Sequence, residues 1–464
     1  MYAKNAWLKY NENEIKEVMD FCEGYKDYIS KGKTERLCVK EALKIAKENG
    51  FKCICEYETL KAGDKVYFLN RDKNIALFVI GQKDVSYGLH ILGAHIDSPR
   101  LDIKQNPLYE KNDLVYLDTH YYGGIKKYQW TTIPLAIHGV ISKKDGTNVN
   151  VVLGEDENDP VFCITDLLIH LASKQLDKKG ATVIEGEALD LLFASMPIKE
   201  DENESEDDKK EKIKDKVAAT ALKLLNDKYG IEEEDFLSAE LEIVPAGKAR
   251  DCGIDSSMVM AYGQDDRVCA YTSLVAMLEV DKVEKTTCCL LVDKEEIGSV
   301  GATGMQSRFF ENTVAELIDR VEGYNELTYR RCLANSKMLS SDVSAAYDPN
   351  FKEAFETKNS AYFGKGMVFN KYTGARGKSG ANDANAEYVA ELRKLFDDNK
   401  VRFQISELGK VDEGGGGTIA YILANKGFDV IDCGTPVLSM HSPYEVTSKF
   451  DVYMSYKAYK VFME

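Results

Sequence analysis

Residues 13 to 50 repeat apolar positions every three to four residues, which is typical of amphipathic helices. Ile15, Val18 and Met19 lie on one such stripe, and a second run begins after Thr34 and ends at Gly50. Thr34 is a favourable N-terminal cap, and glycine is a favourable residue at which a helix stops. The pattern therefore predicts two helices before the first strand.

Four short apolar segments follow and are predicted as strands: FKCICEY, KVYFLN, NIALFVIG and LHILGAHID. The last is apolar almost throughout, as in a strand that is covered on both faces. From about residue 250 the pattern alternates, with RVCAYTSLVAMLEV predicted as a helix and TTCCLLVDK and FDVIDCG as strands. This alternation predicts a largely parallel sheet with helices on both faces, hence an α/β fold.

The region after Pro99 is different, because most of its segments are predicted strands: LVYLDTHYY, TTIPLAIHGVIS, NVNVVLG, LDLLFAS and SAELEIVPAG. ITDLLIHLASKQL is predicted as a helix, and the charged run at 199–216 as a solvated loop leading into another helix. We therefore predict a discontinuous α/β domain, residues 1–98 and 249–464, with a mostly β domain, residues 99–248, inserted into it.

The composition narrows the functional classes. The chain has 464 residues and a net charge of −17, which argues against a nucleic-acid partner. Its 11 cysteines show no zinc-finger spacing and are predicted to be buried, reduced thiols. The N-terminus lacks the apolar core of a signal peptide, and no apolar stretch approaches the roughly 20 residues of a membrane span. We expect a cytoplasmic protein that does not associate with membranes.

Two of the six histidines lie at, or just after, the end of an apolar strand segment. His95 lies at the end of the strand segment in GAHIDSPR, and His441 follows FDVIDCGTPVL. The carboxyl ends of parallel strands form the ligand crevice of an α/β sheet, so we expect both imidazoles at one site.

Four carboxylates occupy the same kind of position. Glu295 and Glu296 follow TTCCLLVDK, Asp265 follows SMVMAYGQ, and Asp342 follows RCLANSKMLSS, another candidate strand. Crowded carboxylates repel one another, and a cation is the usual compensation. Two histidines with several carboxylates suit zinc, cobalt or manganese, and one carboxylate could bridge two ions. Of two adjacent glutamates, one could bind metal while the other acts as the general base.

Asp97 has a separate predicted role. Alternate residues of a strand share a face, so Asp97 can accept the second N–H of the His95 imidazole and fix its orientation. Taken singly, each of these motifs also fits a turn, a helix cap or a solvated helix start. Their coincidence at strand ends is what predicts a metal site.

GAHIDSPRLD, DKEEIGSVGATG, SSDVSAAYDPN and MHSPYEV resemble, in order and spacing, the M18 metallopeptidases, the aspartyl aminopeptidase family. The resemblance extends along nearly the whole chain. It implies two divalent ions, zinc before cobalt or manganese, held by five ligands: His95, Asp265, Glu296, Asp342 and His441. One ion would take His95 and Asp342, the other Glu296 and His441, and Asp265 would bridge them.

The same resemblance implies that Glu295 is the general base and that Asp97 orients His95. The family removes single N-terminal residues, often acidic ones, from peptides with a free N-terminus. Its fold is a zinc-peptidase-like mixed sheet covered by helices on both faces, with an inserted, PDZ-like β domain that mediates dimerisation. Its members typically assemble from dimers into a tetrahedral dodecamer, so a homododecamer is expected here.

Three candidate substrate-binding residues also come from the resemblance. LLIHLASKQ resembles the stretch whose histidine, here His170, reaches a neighbouring subunit's active site, although a histidine packed at an interface is the alternative. The loop VDEGGGGTIAYI, which contains Gly416, would line the substrate pocket or form a flexible turn. Lys371 lies in a basic segment, with Arg376 and Lys378, that corresponds only loosely to the family's substrate-binding region.

The chain also departs from the family pattern. Its QDDR motif around Asp265 replaces the Leu-Asp-Asn of many relatives and resembles the related M42 aminopeptidases at this point. Preference for acidic or for neutral N-terminal residues therefore stays open. A dizinc deacylase or carboxypeptidase of the same architecture and a non-catalytic, metal-stabilised scaffold are the alternative functions.

Overall fold

The computed structural model describes residues 5–198 and 215–464. They form two compact units, one comprising Met1–Ser98 with Lys248–Glu464 and the other Pro99–Gly247. Most of the predicted charged loop, residues 199–214, lies outside the described residues. Over those two described ranges, no helix combines the length and the apolar character that crossing a membrane requires.

The described residues form ten α-helices: α1 (Glu12–Lys31), α2 (Glu35–Glu48), α3 (Ser173–Leu176), α4 (Lys216–Tyr229), α5 (Gln264–Leu278), α6 (Phe309–Glu322), α7 (Glu326–Ala334), α8 (Ala386–Asp398), α9 (Ala420–Ala424) and α10 (Lys449–Met463). The two predicted N-terminal helices are confirmed as α1 and α2. The side chain of Thr34 accepts the N–H of Leu37 and caps α2, as the sequence predicts.

The same described residues form twenty strands: β1 (Lys52–Cys53), β2 (Lys65–Asn70), β3 (Asn74–Val79), β4 (His90–His95), β5 (Arg100–Lys111), β6 (Leu114–Tyr122), β7 (Leu135–Ser142), β8 (Asn148–Leu153), β9 (Leu191–Ala194), β10 (Ala239–Pro245), β11 (Arg250–Cys252), β12 (Met258–Ala261), β13 (Thr287–Val292), β14 (Lys337–Ser341), β15 (Ser344–Ala345), β16 (Met367–Asn370), β17 (Phe403–Ile405), β18 (Asp429–Gly434), β19 (Pro436–Leu438) and β20 (Glu445–Ser448).

The first unit is built on a nine-stranded mixed sheet in the order β1-β2-β3-β13-β4-β14-β18-β16-β17. Its four central strands, β13, β4, β14 and β18, are parallel, whereas β3 and β16 pair with them in the antiparallel direction. Val292 of β13 is in register with His95 of β4, so these neighbouring strands end at the same level. The chain segments that follow the central strands therefore meet at one edge of the sheet.

Helices cover both faces of this sheet, because its strands bury side chains on both sides. In β4, Leu92 belongs to a core formed with α1, α2, α5, α8 and α10. The preceding residue, Ile91, belongs to a second core formed with α6, α7 and α9. The expected α/β class, with a mixed sheet between helices, is confirmed. A smaller sheet of the same unit has the order β11-β12-β20-β19-β15.

The second unit contains a six-stranded sheet in the order β8-β7-β10-β5-β6-β9, in which every pairing is antiparallel. Its mostly β character agrees with the strand pattern of the sequence. The sequence pattern did not reveal β5, since polar residues and Pro107 interrupt its apolar positions. The pairing of β5 with β6 shifts register between Ile103 and Leu108, the kind of irregularity at which a strand tolerates proline.

The helix predicted for ITDLLIHLASKQL is wrong. This segment contains only a 3-10 turn, Ile169–Leu171, and the four-residue helix α3. Leu167, Leu168, Ile169 and Leu171 are 47–67% exposed. A short helix is stable in water chiefly when it packs an apolar face, and here these side chains are left outside the core of their own unit.

Two smaller predictions also need correction. FKCICEY forms a strand only at β1, and a 3-10 turn, Ile54–Glu56, follows. Cys53 and Cys55 form a disulfide, so the expected reduced state is wrong for this pair, whereas the other nine cysteines are free and seven of them are buried. The candidate strand RCLANSKMLSS begins inside α7, and only its second half is strand β14.

Candidate metal centre

The predicted ligands meet at the carboxyl edge of the central strands. His95 is the last residue of β4, and Asp342 immediately follows β14. Glu295 and Glu296 begin a 3-10 turn that is separated from the end of β13 by two residues. Nε2 of His95 lies 3.9 Å from both Glu295 Oε2 and Asp342 Oδ1.

Asp265, at the start of α5, lies between the two histidines. Its Oδ1 atom is 3.1 Å from Nε2 of His95, and its Oδ2 atom is 3.1 Å from Nε2 of His441. His441 Nε2 is also 3.5 Å from Glu296 Oε1. Each oxygen of one buried carboxylate thus faces a different imidazole, which is the arrangement that a bridging ligand requires.

The site concentrates carboxyl groups away from water. Burial raises the pKa of Glu295 to about 7 and raises the pKa values of Glu296 and Asp342 well above their usual range. Burial also opposes ionisation of Asp265, but hydrogen bonds from His441 and His95 outweigh it and lower the Asp265 pKa. The imidazoles of His95 and His441 thus favour the ionised form of Asp265, whereas burial favours the protonated forms of the other three carboxyl groups.

The donor set fits a divalent cation. Ligand atoms of His95, Glu295 and Asp342 lie within 4.8 Å of one another, and so do those of His95, Asp265 and Glu296. Oε1 of Glu296 is buried without a hydrogen-bond partner among the described residues. Imidazole nitrogens combined with carboxylate oxygens suit zinc and neighbouring transition metals, and a cation would replace the protons that these groups otherwise share.

Asp97 contacts more of the site than the sequence predicts. Nδ1 of His95 lies 3.3 Å from Asp97 Oδ1 and 3.0 Å from the Asp97 backbone carbonyl oxygen. The Asp97 carboxylate also accepts the backbone N–H groups of Glu295 and Glu296, each at 3.1 Å. One buried side chain therefore connects the end of β4 to the turn that carries both glutamates.

Sequence reasoning missed Glu445, although it lies in the motif MHSPYEV. Glu445 is 1% exposed at the start of β20. Its carboxylate accepts the backbone N–H groups of His441 and Asp265. The only signal in the sequence was an acidic residue four positions after a candidate ligand, which is too common a pattern to single out.

The candidate substrate-binding residues occupy other settings. His170 is exposed in the 3-10 turn Ile169–Leu171 of the second unit. In the first unit, Lys371 pairs with Asp383, and so does Lys378. The carbonyl oxygen of Gly416 accepts the N–H of Gly374 at 2.7 Å.

The glycine-rich loop joins the ligand edge of the sheet through Thr418. The Thr418 hydroxyl donates to the fully buried Asp432 carboxylate on β18. A side chain on Gly415 would place its Cβ 1.8 Å from the Gly374 carbonyl oxygen, so this close approach requires glycine.

Comparison with known proteins relates nearly the whole chain to a single protein family. The family model "Aminopeptidase I zinc metalloprotease (M18)" matches residues 28–463. The "Probable M18 family aminopeptidase 1" of Clostridium acetobutylicum is 60% identical over 464 residues, which cover 99% of this chain and 98% of that protein. Its counterpart from Thermotoga maritima is 44% identical over 466 residues, covering 100% and 99%.

Solved structures of similar fold are aminopeptidases as well. The crystal structure of an M18 aminopeptidase from Thermotoga maritima has a TM-score of 0.93 at 43% identity, covering 100% of this chain and 99% of that one. The S. cerevisiae mApe1 dodecamer has a TM-score of 0.74 at 22% identity, covering 96% of each chain, and so shares the fold.

Proposed function

The chain belongs to the M18 family of zinc aminopeptidases, and from this premise we propose that it hydrolyses single N-terminal residues at a centre of two divalent ions. The observation that carries the proposal is the position of Asp265, with one carboxylate oxygen 3.1 Å from each imidazole. Asp265 would bridge the ions, with His95 and Asp342 on one side and Glu296 and His441 on the other.

Glu295 is the general base in this proposal. Two divalent ions bound there would polarise the scissile carbonyl and lower the pKa of the attacking water. Glu295 takes the proton from that water and delivers it to the leaving amine. Burial raises the pKa of Glu295 to about 7, which suits a group that must accept and then donate a proton near neutral pH. Asp97 holds the backbone of Glu295 in place.

The proposed substrate is a peptide with a free, preferentially neutral, N-terminal residue. Lys371 and Lys378 belong to the segment that corresponds loosely to the family's substrate-binding region, and Asp383 pairs with both. Their charge is partly offset, which weakens recognition of an acidic side chain. Initial rates on aminoacyl substrates with leucine, alanine, aspartate and glutamate, each measured with zinc, cobalt and manganese, would rank these preferences.

We further propose a homododecamer, tetrahedral and built from dimers, in which the second unit provides the dimer contacts. The support is a run of exposed apolar side chains, Leu167, Leu168, Ile169, Leu171 and Leu176. Contiguous exposed apolar residues mark interaction surfaces. His170 lies inside this run, so association through it would present the imidazole to a neighbouring subunit's active site.

The experiment that tests the function compares a free peptide with its N-acetylated form. An aminopeptidase requires the free amine, so we expect hydrolysis of the first and none of the second. Efficient cleavage of the acetylated peptide would identify a deacylase or carboxypeptidase instead. Activity that is absent with and without metal would indicate a scaffold.

A further inference from the structure

A second buried carboxylate, Glu445, joins two of the predicted ligands through their backbones. Its Oε1 atom accepts the N–H of His441 at 2.8 Å, and its Oε2 atom accepts the N–H of Asp265 at 3.0 Å. The two oxygens therefore hold residues that are far apart in sequence and that belong to different elements. Asp265 begins α5, and His441 lies in the loop between β19 and β20.

The His441 loop needs such support. His441 has a φ of 62°, in the left-handed region that side-chain-bearing residues rarely adopt. Ser439, two residues earlier, has a φ of 58°. Conformations of this kind persist when surrounding contacts over-determine them, and the N–H bond to Glu445 is one such contact.

Glu445 is itself held on the opposite side by Gln264. The Gln264 amide donates to the Glu445 backbone carbonyl at 2.6 Å and to the Val259 carbonyl at 3.2 Å. Its oxygen accepts the hydroxyl of the fully buried Tyr25 at 3.0 Å. The carboxylate of Glu445 therefore starts from a fixed backbone position.

Asp97 provides an internal comparison, because it holds Glu295 and Glu296 in the same way. Each oxygen of Asp97 accepts one backbone N–H, as each oxygen of Glu445 does. The two clamps have different targets. Asp97 links His95 to the glutamate turn, whereas Glu445 links the central carboxylate of Asp265 to His441.

We propose that Glu445 is a positioning residue that sets the separation between Asp265 and His441. It thereby sets the affinity and the coordination geometry of the ion bound by Glu296 and His441. This inference rests on the proposed dimetal function. Glu445 binds no metal itself, since its two carboxylate oxygens are engaged by backbone N–H groups. Residues that orient metal ligands typically contribute 10- to 100-fold, as an order of magnitude, to metal affinity.

The test is Glu445→Gln, which keeps the shape but turns an amide N–H₂ toward one of the two N–H donors. Apo-protein is titrated with Zn²⁺ against a competing chelator, and Co²⁺ absorption spectra report ligand geometry. We expect the dissociation constant of the ion held by Glu296 and His441 to rise about 10- to 100-fold, with a smaller change for the ion held by His95 and Asp342. We also expect kcat to fall more than KM rises.

The matched control is Asp451→Asn. Asp451 is also fully buried and accepts two backbone N–H groups, those of Gly364 and Gly366, each at 2.7 Å, but neither residue is a ligand. Both dissociation constants should stay at wild-type values in this variant. Apo-protein melting shows whether Glu445→Gln folds. If it does not, Glu445→Asp replaces it, because the shorter side chain cannot keep both hydrogen bonds. The same change in dissociation constants is expected of that variant.

Wild-type affinity for both ions in the Glu445 variant would overturn the proposal. So would an equal weakening of both ions in the Glu445 and Asp451 variants, since that indicates general destabilisation. A wild-type protein that binds fewer than two ions would instead contradict the proposed function, whatever the variants do.

Discussion

The ligand edge of the first unit and the 164–176 segment of the second unit depart from ordinary globular structure in opposite directions. The first buries ionisable groups, with His95 and Asp265 only 1% and 3% exposed. The second exposes apolar ones, with Ile169 and Leu171 each 67% exposed. Buried charge requires a compensating partner, and a contiguous exposed apolar run marks an interaction surface. The first region is thus organised for a cation and the second for another protein surface.

The largest effect is expected from the buried region, at Glu295. Glu295→Gln removes the proton acceptor while keeping the side-chain shape, so kcat should fall about 10²- to 10⁴-fold. Metal content, measured by atomic emission, should be unchanged because the proposed ligands remain. The exposed Glu284→Gln, which alters a surface ion pair with Lys83, is the control and should keep full activity. Near-normal turnover of the Glu295 variant would eliminate it as the base.

The next largest effect is expected from metal removal, which should change how the stability of the fold depends on pH. Burial raises the pKa of Glu295 from 4.5 to about 7, so the folded, metal-free chain binds this proton more tightly than the unfolded chain. The resulting stabilisation is complete below pH 4.5 and is lost as pH rises to about 7. Metal binding needs deprotonated carboxylates, so it strengthens across the same interval.

Melting temperatures of chelator-treated and zinc-loaded protein should therefore diverge as pH rises through this interval. The apo-protein should lose stability and the loaded protein should gain it. Parallel curves for the two forms would show that the carboxylates do not respond to metal as a group.

In the exposed region, Ile169→Asp should break the assembly without unfolding the subunit. The side chain is 67% exposed, so a charge costs little in the isolated chain, yet it is costly in an apolar contact. Light scattering should report a smaller species with an unchanged melting temperature at low concentration. Leu327→Asp, at a position 55% exposed on α7, is the control and should keep the assembly at full size. A full-size assembly of the Ile169 variant would place the contact elsewhere.

The smallest effect is expected for His170→Ala. This change should leave the assembly intact and lower kcat/KM by about tenfold, the value of one lost hydrogen bond to a charged group. Equal activity of the His170 variant and wild type would assign this histidine to packing alone.

The same contrast explains how far the sequence could predict the structure. The first unit was largely predictable because its strands are buried on both faces and its proposed ligands lie at or just after strand ends, as His95 does at the end of β4. The segment 164–176 was not, since its apolar pattern resembles a buried helix, and sequence cannot tell burial within a chain from burial between chains. β5 was missed because Pro107 and polar neighbours disguise it.

Within the site, the side chains proposed to bind metal were predictable from residue type. The side chains that accept hydrogen bonds from the backbone N–H groups of other site residues were not. Histidine and paired glutamates at strand ends carry a chemical signal. Glu445 has none, because its role depends on Asp265, 180 positions away in sequence. The dual contact of Asp97 with Glu295 and Glu296 was hidden for the same reason.

Anomalous diffraction at the zinc edge from crystals of the loaded protein tests the central claim most directly. The account predicts two peaks per chain, roughly 3.5–4 Å apart, on either side of Asp265. One should lie beside His95 and Asp342 and the other beside Glu296 and His441. A single peak would contradict the account. So would two peaks of which neither lies beside His95 or neither lies beside His441.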